Sequence, residues 1–154
     1  MIKRSSKQFI DSLLSKNKGW KILDIGCGYS AHKDATDICD VQDLSSFYKD
    51  KKFVKLNQKT LPFENDEFDF AISSHVIEHV EDVNLFISEL QRVSKKGYIE
   101  LPTILEDNLV FENKSDHLWH MEFDDVNNKL NISKKIQHIE PLVTVSTIKK
   151  LSKY

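Results

Sequence analysis

The stretch that decides the fold is residues 21–28, which read Lys-Ile-Leu-Asp-Ile-Gly-Cys-Gly. Its aliphatic and β-branched beginning is typical of a short buried strand. The glycines Gly26 and Gly28 indicate a sharp turn where the backbone approaches another group closely. A strand that carries an acid, Asp24, and then runs into such a turn is how an open α/β sheet builds a nucleotide or nucleoside site. The third glycine of the dinucleotide-binding pattern would fall at Ala31, so an ordinary strand and turn stays an alternative.

The composition is that of one globular domain. The 154 residues are 40% hydrophobic and 30% charged, with a formal net charge of −2. We therefore predict a single domain over residues 1–154, divided into an N-terminal helix (1–19), a core (20–134) and a tail (135–154). With no basic stripe and only two arginines, Arg4 and Arg92, a nucleic-acid partner is not expected.

The cysteines and the N-terminus exclude several classes of protein. Cys27 and Cys39 form no C-x-x-C pair, which argues against a cysteine zinc site and against a disulfide framework. Residues 1–18 are basic and lack a long apolar run, so neither a signal peptide nor a membrane span is predicted. The expected location is the cytoplasm.

Apolar periodicity predicts alternating helices and strands up to residue 102. Helices are expected over 3–16 and 81–93, with a short one over 43–49. About ten residues separate the first two strands, which is short for a parallel crossover. The five predicted strands cover residues 20–25, 35–41, 53–56, 69–73 and 98–101.

The pattern changes after Pro102. Residues 103–115 could hold a short helix, and residues 117–123 and 129–134 alternate around a polar turn, which predicts a β-hairpin. The tail contains one possible strand, residues 142–145.

Four segments together carry a family resemblance. They are residues 22–28, 61–69, 73–82 and 97–102. In this order and spacing the chain resembles the class I S-adenosylmethionine-dependent methyltransferases of type 11, over about residues 20–102. The resemblance implies an α/β fold: a Rossmann-like, mostly parallel sheet with helices on both faces and a C-terminal antiparallel β-hairpin. The family's sheet has seven strands, and the predicted hairpin resembles the last two.

The resemblance also implies a site for S-adenosylmethionine. The turn of Gly26, Cys27 and Gly28 would let the backbone approach the methionine and ribose part of this cofactor. Asp24 beneath the turn would meet the methionine amino group, directly or through water.

Acids and amides after the next strands would hold the nucleoside. Asp40 is similar to the family acid that accepts from both ribose hydroxyls, as two carboxylate oxygens can. Asp37 and Asp43 are rivals for this role. Asn57 stands where many relatives carry an acid for the adenine amino group, and its amide carbonyl can accept the same hydrogen bond.

Ser74 and His75 resemble the residues that line the methyl-transfer mouth. His75 is the candidate general base, because histidine accepts a proton near neutral pH; a role in capping or packing the strand end is an equal alternative. His79 is expected to support the next loop. Structural roles are favoured for three residues of the predicted hairpin: His117, Trp119 and His120.

The predicted function is methyl transfer from S-adenosylmethionine to a small-molecule, sugar-linked or lipid-linked acceptor. One alternative is a catalytically degenerate scaffold or a partner subunit of a larger enzyme, since the first crossover is short. A remote alternative is a zinc hydrolase, because residues 75–79 spell H-x-x-E-H. That motif needs a helix and a third ligand, so no metal site is predicted.

Overall fold

The computed structural model describes residues 2–147, and the chain divides into two compact units. The sheet unit consists of Ser5–Ile77 and Asp82–Glu100. Among the described residues, the hairpin unit consists of residues 2–4, Glu78–Glu81 and residues 101–147. No helix in the described part of the chain is long and apolar enough to cross a membrane.

A five-stranded parallel sheet forms the centre of the sheet unit, in the order β3-β2-β1-β4-β5. The two central strands β1 and β2 are buried along their whole length, as strands covered on both faces are. All five predicted strands are confirmed, with ends shifted by one or two residues. Their bounds are β1 Ile22–Ile25, β2 Asp37–Asp40, β3 Lys52–Lys55, β4 Phe70–Ser74 and β5 Gly97–Glu100.

The chain reverses its direction of travel across the sheet between β1 and β4. It builds outward from β1 to β2 and β3, then returns to add β4 and β5 on the other side of β1. Such a reversal opens a crevice at the carboxyl ends of the strands. The crossover from β1 to β2 is parallel, as predicted, although residues 26–36 contain no helix.

One helix covers each face of this sheet. Helix α1 (Lys7–Lys16) buries Ile10 and Leu14 against the face that carries Ile22. Helix α2 (Val83–Val93) packs Leu90 and Val93 on the opposite face, where Leu23 points. Alternate residues of β1 therefore enter different core clusters, as the two-residue period of a strand requires.

The predicted short helix over residues 43–49 is wrong. The segment forms turns, and the backbone N–H and the hydroxyl of Ser45 both donate to Asp43 Oδ1, at 3.1 and 2.7 Å. Aspartate commonly stabilises a turn in this way instead of allowing helix to propagate.

Over residues 101–144, the hairpin unit contains two short helices and an antiparallel pair of strands. Its elements are α3 Ile104–Leu109, α4 Phe111–Asp116, β6 Trp119–Asp124 and β7 Lys129–Lys134. The hairpin is confirmed, but β6 and β7 form a separate two-stranded sheet instead of extending the parallel one to seven strands. Residues 142–145 form no strand; Val143 makes only an isolated bridge with Val110. Residues 148–154 of the predicted tail lie outside the described residues.

Candidate functional site

The carboxyl edge of the parallel sheet gathers the predicted cofactor residues. Ile25, at the end of β1, pairs with Cys39 of β2 and with Ser73 of β4. The residues that follow these strands therefore emerge along one edge. This edge carries the glycine turn after β1, Asp40 at the end of β2, and Ser74 at the end of β4.

The glycine turn has a backbone that other residues adopt only at a cost. Gly26 and Gly28 have φ angles of 67° and 48°, in the left-handed region that favours glycine. A Cβ at Gly26 would lie 2.4 Å from Val76 Cγ2, whereas a Cβ at Gly28 would meet open space. Gly28 therefore offers a bare backbone for close approach, which fits the methionine and ribose part of S-adenosylmethionine.

Asp24 lies beneath this turn and is 5% exposed. Burial raises the pKa of its carboxyl, partly offset by the hydrogen bond from the His32 backbone N–H to Oδ2 at 2.7 Å. His32 in turn places its Nε2 3.1 Å from Asp11 Oδ1. Asp24 thus holds the far end of the loop and keeps lone pairs available for an ammonium group.

Asp40 supports the same turn from β2. Its Oδ2 accepts from the backbone N–H of Gly28 at 2.9 Å, and its Oδ1 accepts from that of Gln42 at 2.9 Å. Each oxygen has a second lone pair, so ribose hydroxyls can still donate to this carboxylate. Its rivals differ in their surroundings: Asp37 pairs with Lys52 at 2.9 Å, and Asp43 caps its own turn.

Tyr48 is a functional residue that the sequence analysis missed. Its hydroxyl donates to the carbonyl oxygen of Gly28 at 2.8 Å and accepts from the backbone N–H of Ala31 at 2.9 Å. Burial raises the pKa of this phenol, so it stays protonated and able to donate. The side chain fixes the loop from within, at the position where the third glycine is missing. No local sequence signal marks this contact, because it joins residues 20 positions apart.

A second group of polar residues lies where β4 meets β5. The Ser74 hydroxyl donates to Glu100 Oε2 at 2.6 Å, and Lys7 Nζ lies 3.1 Å from the same oxygen. Burial works to raise the pKa of Glu100, but the bonds from Ser74 and Lys7 outweigh it and lower that pKa. Glu100 was not predicted as a site residue.

His75 follows β4 in a left-handed conformation with φ 55°. Its backbone N–H donates to the carbonyl oxygen of Glu100 at 3.0 Å, and the residue is exposed. A non-glycine residue with this φ costs free energy of order 1 kcal/mol; Asp66 and Asn128 adopt the same conformation, with φ angles of 52° and 50°. Residues 77–79 form one 3₁₀ turn, so the α-helix that the H-x-x-E-H hydrolase motif requires is not present at these residues.

Asn57, two residues beyond β3, is exposed at the carboxyl edge of the parallel sheet.

Helix α2 holds the loop before β4 in place. Further along, Arg92 donates to the carbonyl oxygens of Leu61 and Phe63 at 2.8 and 2.7 Å. Glu89 Oε2 accepts from the Leu61 backbone N–H at 2.7 Å.

The thiol of Cys27 is not a nucleophile in this environment. The residue is 4% exposed, and burial raises the pKa of its thiol to about 12. The reactive form of cysteine is the thiolate, which is then scarce at neutral pH. The backbone N–H of Cys27 donates to the carbonyl oxygen of Cys39 at 3.2 Å, which holds the glycine turn against β2.

The remaining singled-out side chains belong to the hairpin unit. His79 Nδ1 donates to the carbonyl oxygen of Asp116 at 2.9 Å, and Trp119 Nε1 donates to that of Val80 at 2.7 Å. His117 precedes β6 instead of lying in the hairpin, and His120 is buried within β6. These contacts fit the structural roles favoured for Trp119 and for the loop residue His79.

Comparison with known proteins supports the family resemblance that the sequence motifs indicated. The family model described as a methyltransferase domain, type 11, matches residues 23–99, half of the chain. An uncharacterized protein of Methanocaldococcus jannaschii is 29% identical over an alignment 119 residues long, which covers 67% of this chain and 50% of that protein. The chain thus spans about half the length of this curated relative.

Solved structures share the fold. An S-adenosylmethionine-dependent methyltransferase from Mesorhizobium loti superposes with a TM-score of 0.51 at 17% identity, over 95% of this chain and 78% of that one. A methyltransferase from Thermotoga maritima, described as a possible histamine N-methyltransferase, gives a TM-score of 0.45 at 21% identity, over 52% and 42%. The Rossmann-like prediction is confirmed, and so, at the level of the family, is S-adenosylmethionine as the cofactor. The chain belongs to the type 11 family of class I S-adenosylmethionine-dependent methyltransferases.

Proposed function

We propose that this chain binds S-adenosylmethionine at the carboxyl edge of its parallel sheet and transfers the methyl group to a small-molecule, sugar-linked or lipid-linked acceptor. One observation carries the proposal. The turn between Gly26 and Gly28 has two positive φ angles and lies between two buried carboxylates, Asp24 and Asp40. It follows β1 at the point where the strand order reverses, which is where open α/β sheets bind nucleotides.

When bound, the cofactor supplies an activated methyl group. The protein then has to hold it, align the acceptor and remove a proton where the acceptor is a hydroxyl or amine. Gly28 presents bare backbone, Asp24 can accept from the methionine ammonium, and Asp40 can accept from the ribose hydroxyls. His75, exposed after β4, can take the proton.

The charge of the chain favours a small acceptor. A net charge of −2 provides no broad attraction for a polyanion. The two arginines are also engaged elsewhere: Arg4 pairs with Asp125 at 3.0 Å, and Arg92 pairs with Glu89 at 2.7 Å. A nucleic-acid acceptor is therefore disfavoured.

A degenerate scaffold or partner subunit is the second candidate. It is favoured by Asp40, whose two oxygens already accept from Gly28 and Gln42, and by the absence of a helix from residues 26–36. In such a protein the acids would stabilise the loop alone. Cofactor affinity separates the two candidates.

We expect the purified chain to bind S-adenosylmethionine and S-adenosylhomocysteine with micromolar affinity in isothermal titration calorimetry. Asp24→Asn should weaken binding at least tenfold, because the amide loses the charge that faces the ammonium group; one tenfold step is about 1.4 kcal/mol. Asp69→Asn is the matched control, since Asp69 precedes β4 at the opposite edge and accepts from the Lys21 backbone N–H at 3.0 Å. If the chain does not bind S-adenosylmethionine at millimolar concentration, the proposal of an active methyltransferase is refuted and the scaffold or partner subunit is favoured.

We expect His75→Asn to lower kcat about 10²- to 10⁴-fold, the usual contribution of a general base. Asparagine tolerates the left-handed backbone, so cofactor affinity should stay unchanged. The assay needs an acceptor found by screening hydroxyl and amine metabolites with radiolabelled cofactor. His138→Asn, at an exposed histidine of the hairpin unit, should leave turnover intact. Equal turnover in both variants would assign His75 a structural role.

A further inference from the structure

Three side chains of the hairpin unit converge in a way that methyl transfer does not use. Glu78, His79 and His117 each bring one nitrogen or oxygen atom to within 4.8 Å of the other two. Glu78 is 0% exposed and His117 is 8% exposed, whereas His79 is open to solvent. The imidazole rings of the two histidines lie 4.6 Å apart, nearly perpendicular to each other.

Hydrogen bonds at Nδ1 set the tautomer of both histidines. His79 Nδ1 faces the carbonyl oxygen of Asp116 at 2.9 Å, and a carbonyl can only accept, so this nitrogen carries the proton. His117 Nδ1 bonds to the carboxylate of Asp107, which is 1% exposed and likewise accepts. In both neutral rings Nε2 is then the unprotonated nitrogen. A histidine that donates from one ring nitrogen to an oxygen and offers the other is the usual arrangement of a metal ligand.

The backbone around these side chains is tied together independently of them. The Leu118 backbone N–H donates to the carbonyl oxygen of Glu78 at 2.8 Å. Trp119 Nε1 donates to the carbonyl oxygen of Val80 at 2.7 Å. The segment that carries Glu78 and His79 is thereby fixed beside the segment that carries His117.

We propose that Glu78, His79 and His117 bind one divalent first-row transition-metal ion, with Asp107 orienting His117 behind it. Two imidazoles and one carboxylate suit zinc, cobalt, iron(II) or manganese far better than magnesium or calcium, which prefer all-oxygen sites. Ligand atoms around tetrahedral zinc at about 2.0–2.1 Å from the ion lie about 3.4 Å apart. The three ligand atoms lie within 4.8 Å of one another, so they must approach each other by up to about 1.4 Å when the ion binds. Three protein ligands and an exposed His79 leave a coordination position open to water.

This proposal departs from the sequence analysis, which predicted no metal site. The H-x-x-E-H interpretation failed because it needed His75 and His79 on one helix. The cluster uses only the Glu78 and His79 of that motif and takes its third ligand from His117, before β6. Periodicity could not indicate a partner so far along the chain.

The test uses the full chain, without a histidine tag and stripped with a chelator. Calorimetry with Zn²⁺ and visible absorption with Co²⁺ should each show one equivalent bound. His79→Ala should weaken both at least tenfold, and this exposed side chain can be removed without harming the core. Asp107→Asn should weaken binding about 10- to 100-fold, as is usual for a partner of a ligating histidine. His138→Ala, in the same unit, is the control and should bind like the wild type.

Two results would overturn the proposal. One is a stoichiometry near zero for both ions. The other is unchanged affinity in His79→Ala while circular dichroism shows that it is folded. Preference for Mg²⁺ over Co²⁺ would refute the transition-metal assignment. None of these readouts involves S-adenosylmethionine, so the metal proposal and the methyl-transfer proposal fail separately.

Discussion

Gly26→Ala should both destabilise the fold and weaken cofactor binding at least tenfold. The new Cβ would lie 2.4 Å from Val76 Cγ2 and 3.2 Å from its Cγ1. A β-branched side chain on a turn has little room to rotate away. The left-handed backbone adds about 1–2 kcal/mol, and the steric overlap about 1–3 kcal/mol. We expect a loss of about 2–5 kcal/mol in urea unfolding and a displaced turn that no longer fits the cofactor.

Two other glycines provide graded controls. In Gly28→Ala the new Cβ meets no atom within 4 Å, but the residue keeps a φ of 48°. The substitution should therefore lower the free energy of unfolding only by the cost of the left-handed backbone, about 1–2 kcal/mol. Gly19→Ala has open space and no positive φ, so it should change stability by less than about 0.5 kcal/mol. Equal losses at all three positions would contradict the steric explanation.

Arg92→Ala should be the most damaging change on the surface of helix α2. Arg92 bonds to both oxygens of Glu89 at 2.8 and 2.7 Å and to two carbonyl oxygens of the loop before β4. Its removal leaves the Glu89 carboxylate, in a side chain that is 10% exposed, without its cation. Breaking such a pair from one side typically costs about 3–5 kcal/mol. Because Arg92 is 31% exposed, we expect about 2–4 kcal/mol, measured by urea unfolding.

Lys95→Ala, two residues beyond the end of helix α2, is the matched control. Its pair with Asp69, at 2.8 Å, joins side chains that are 57% and 33% exposed, so its loss should cost less than about 1 kcal/mol. The pair between Arg92 and Glu89 also predicts how the stability of the fold depends on pH. The hydrogen bond from Arg92 holds the pKa of Glu89 below its ordinary value of 4.5. Its contribution is therefore complete above pH 4.5 and disappears as the pH falls through the lower pKa of the folded state. Similar losses of unfolding free energy in Arg92→Ala and Lys95→Ala would show that the contacts of Arg92 with Glu89 and the loop before β4 contribute little to stability.

The parallel sheet could be predicted because its signals are local. Apolar runs such as residues 22–25 identify buried strands, and the mostly parallel arrangement of those strands was implied by the family resemblance. The connection from β1 to β2 is short for a parallel crossover, so the pairing of these two strands was the least certain part of the prediction. The parallel pairing is possible because the Tyr48 phenol and the Asp40 carboxylate hold the loop in place, where a longer connection would contain a helix. Neither contact has a signature in the sequence.

The two incorrect predictions of secondary structure, over residues 43–49 and 142–145, have local physical causes. Residues 43–49 carry apolar side chains at helical spacing, but Asp43 closes a turn on Ser45 and stops the helix at its start. Residues 142–145 are the aliphatic and β-branched types that favour a strand, yet Val143 bridges only to Val110. A β-strand needs a partner as well as a pattern, and the pattern does not identify the partner.

The two sheets also differ in how far along the chain their paired residues lie. In the hairpin, Asp124 pairs with Lys129, so little loop entropy is lost on closure. In the parallel sheet, Leu23 pairs with Ala71, and a long loop must close before that contact forms. Hairpins form in microseconds, whereas sheets made of distant segments form much more slowly. During refolding of the whole chain, therefore, β6–β7 should acquire hydrogen-exchange protection early and the carboxyl edge of the parallel sheet should acquire it late.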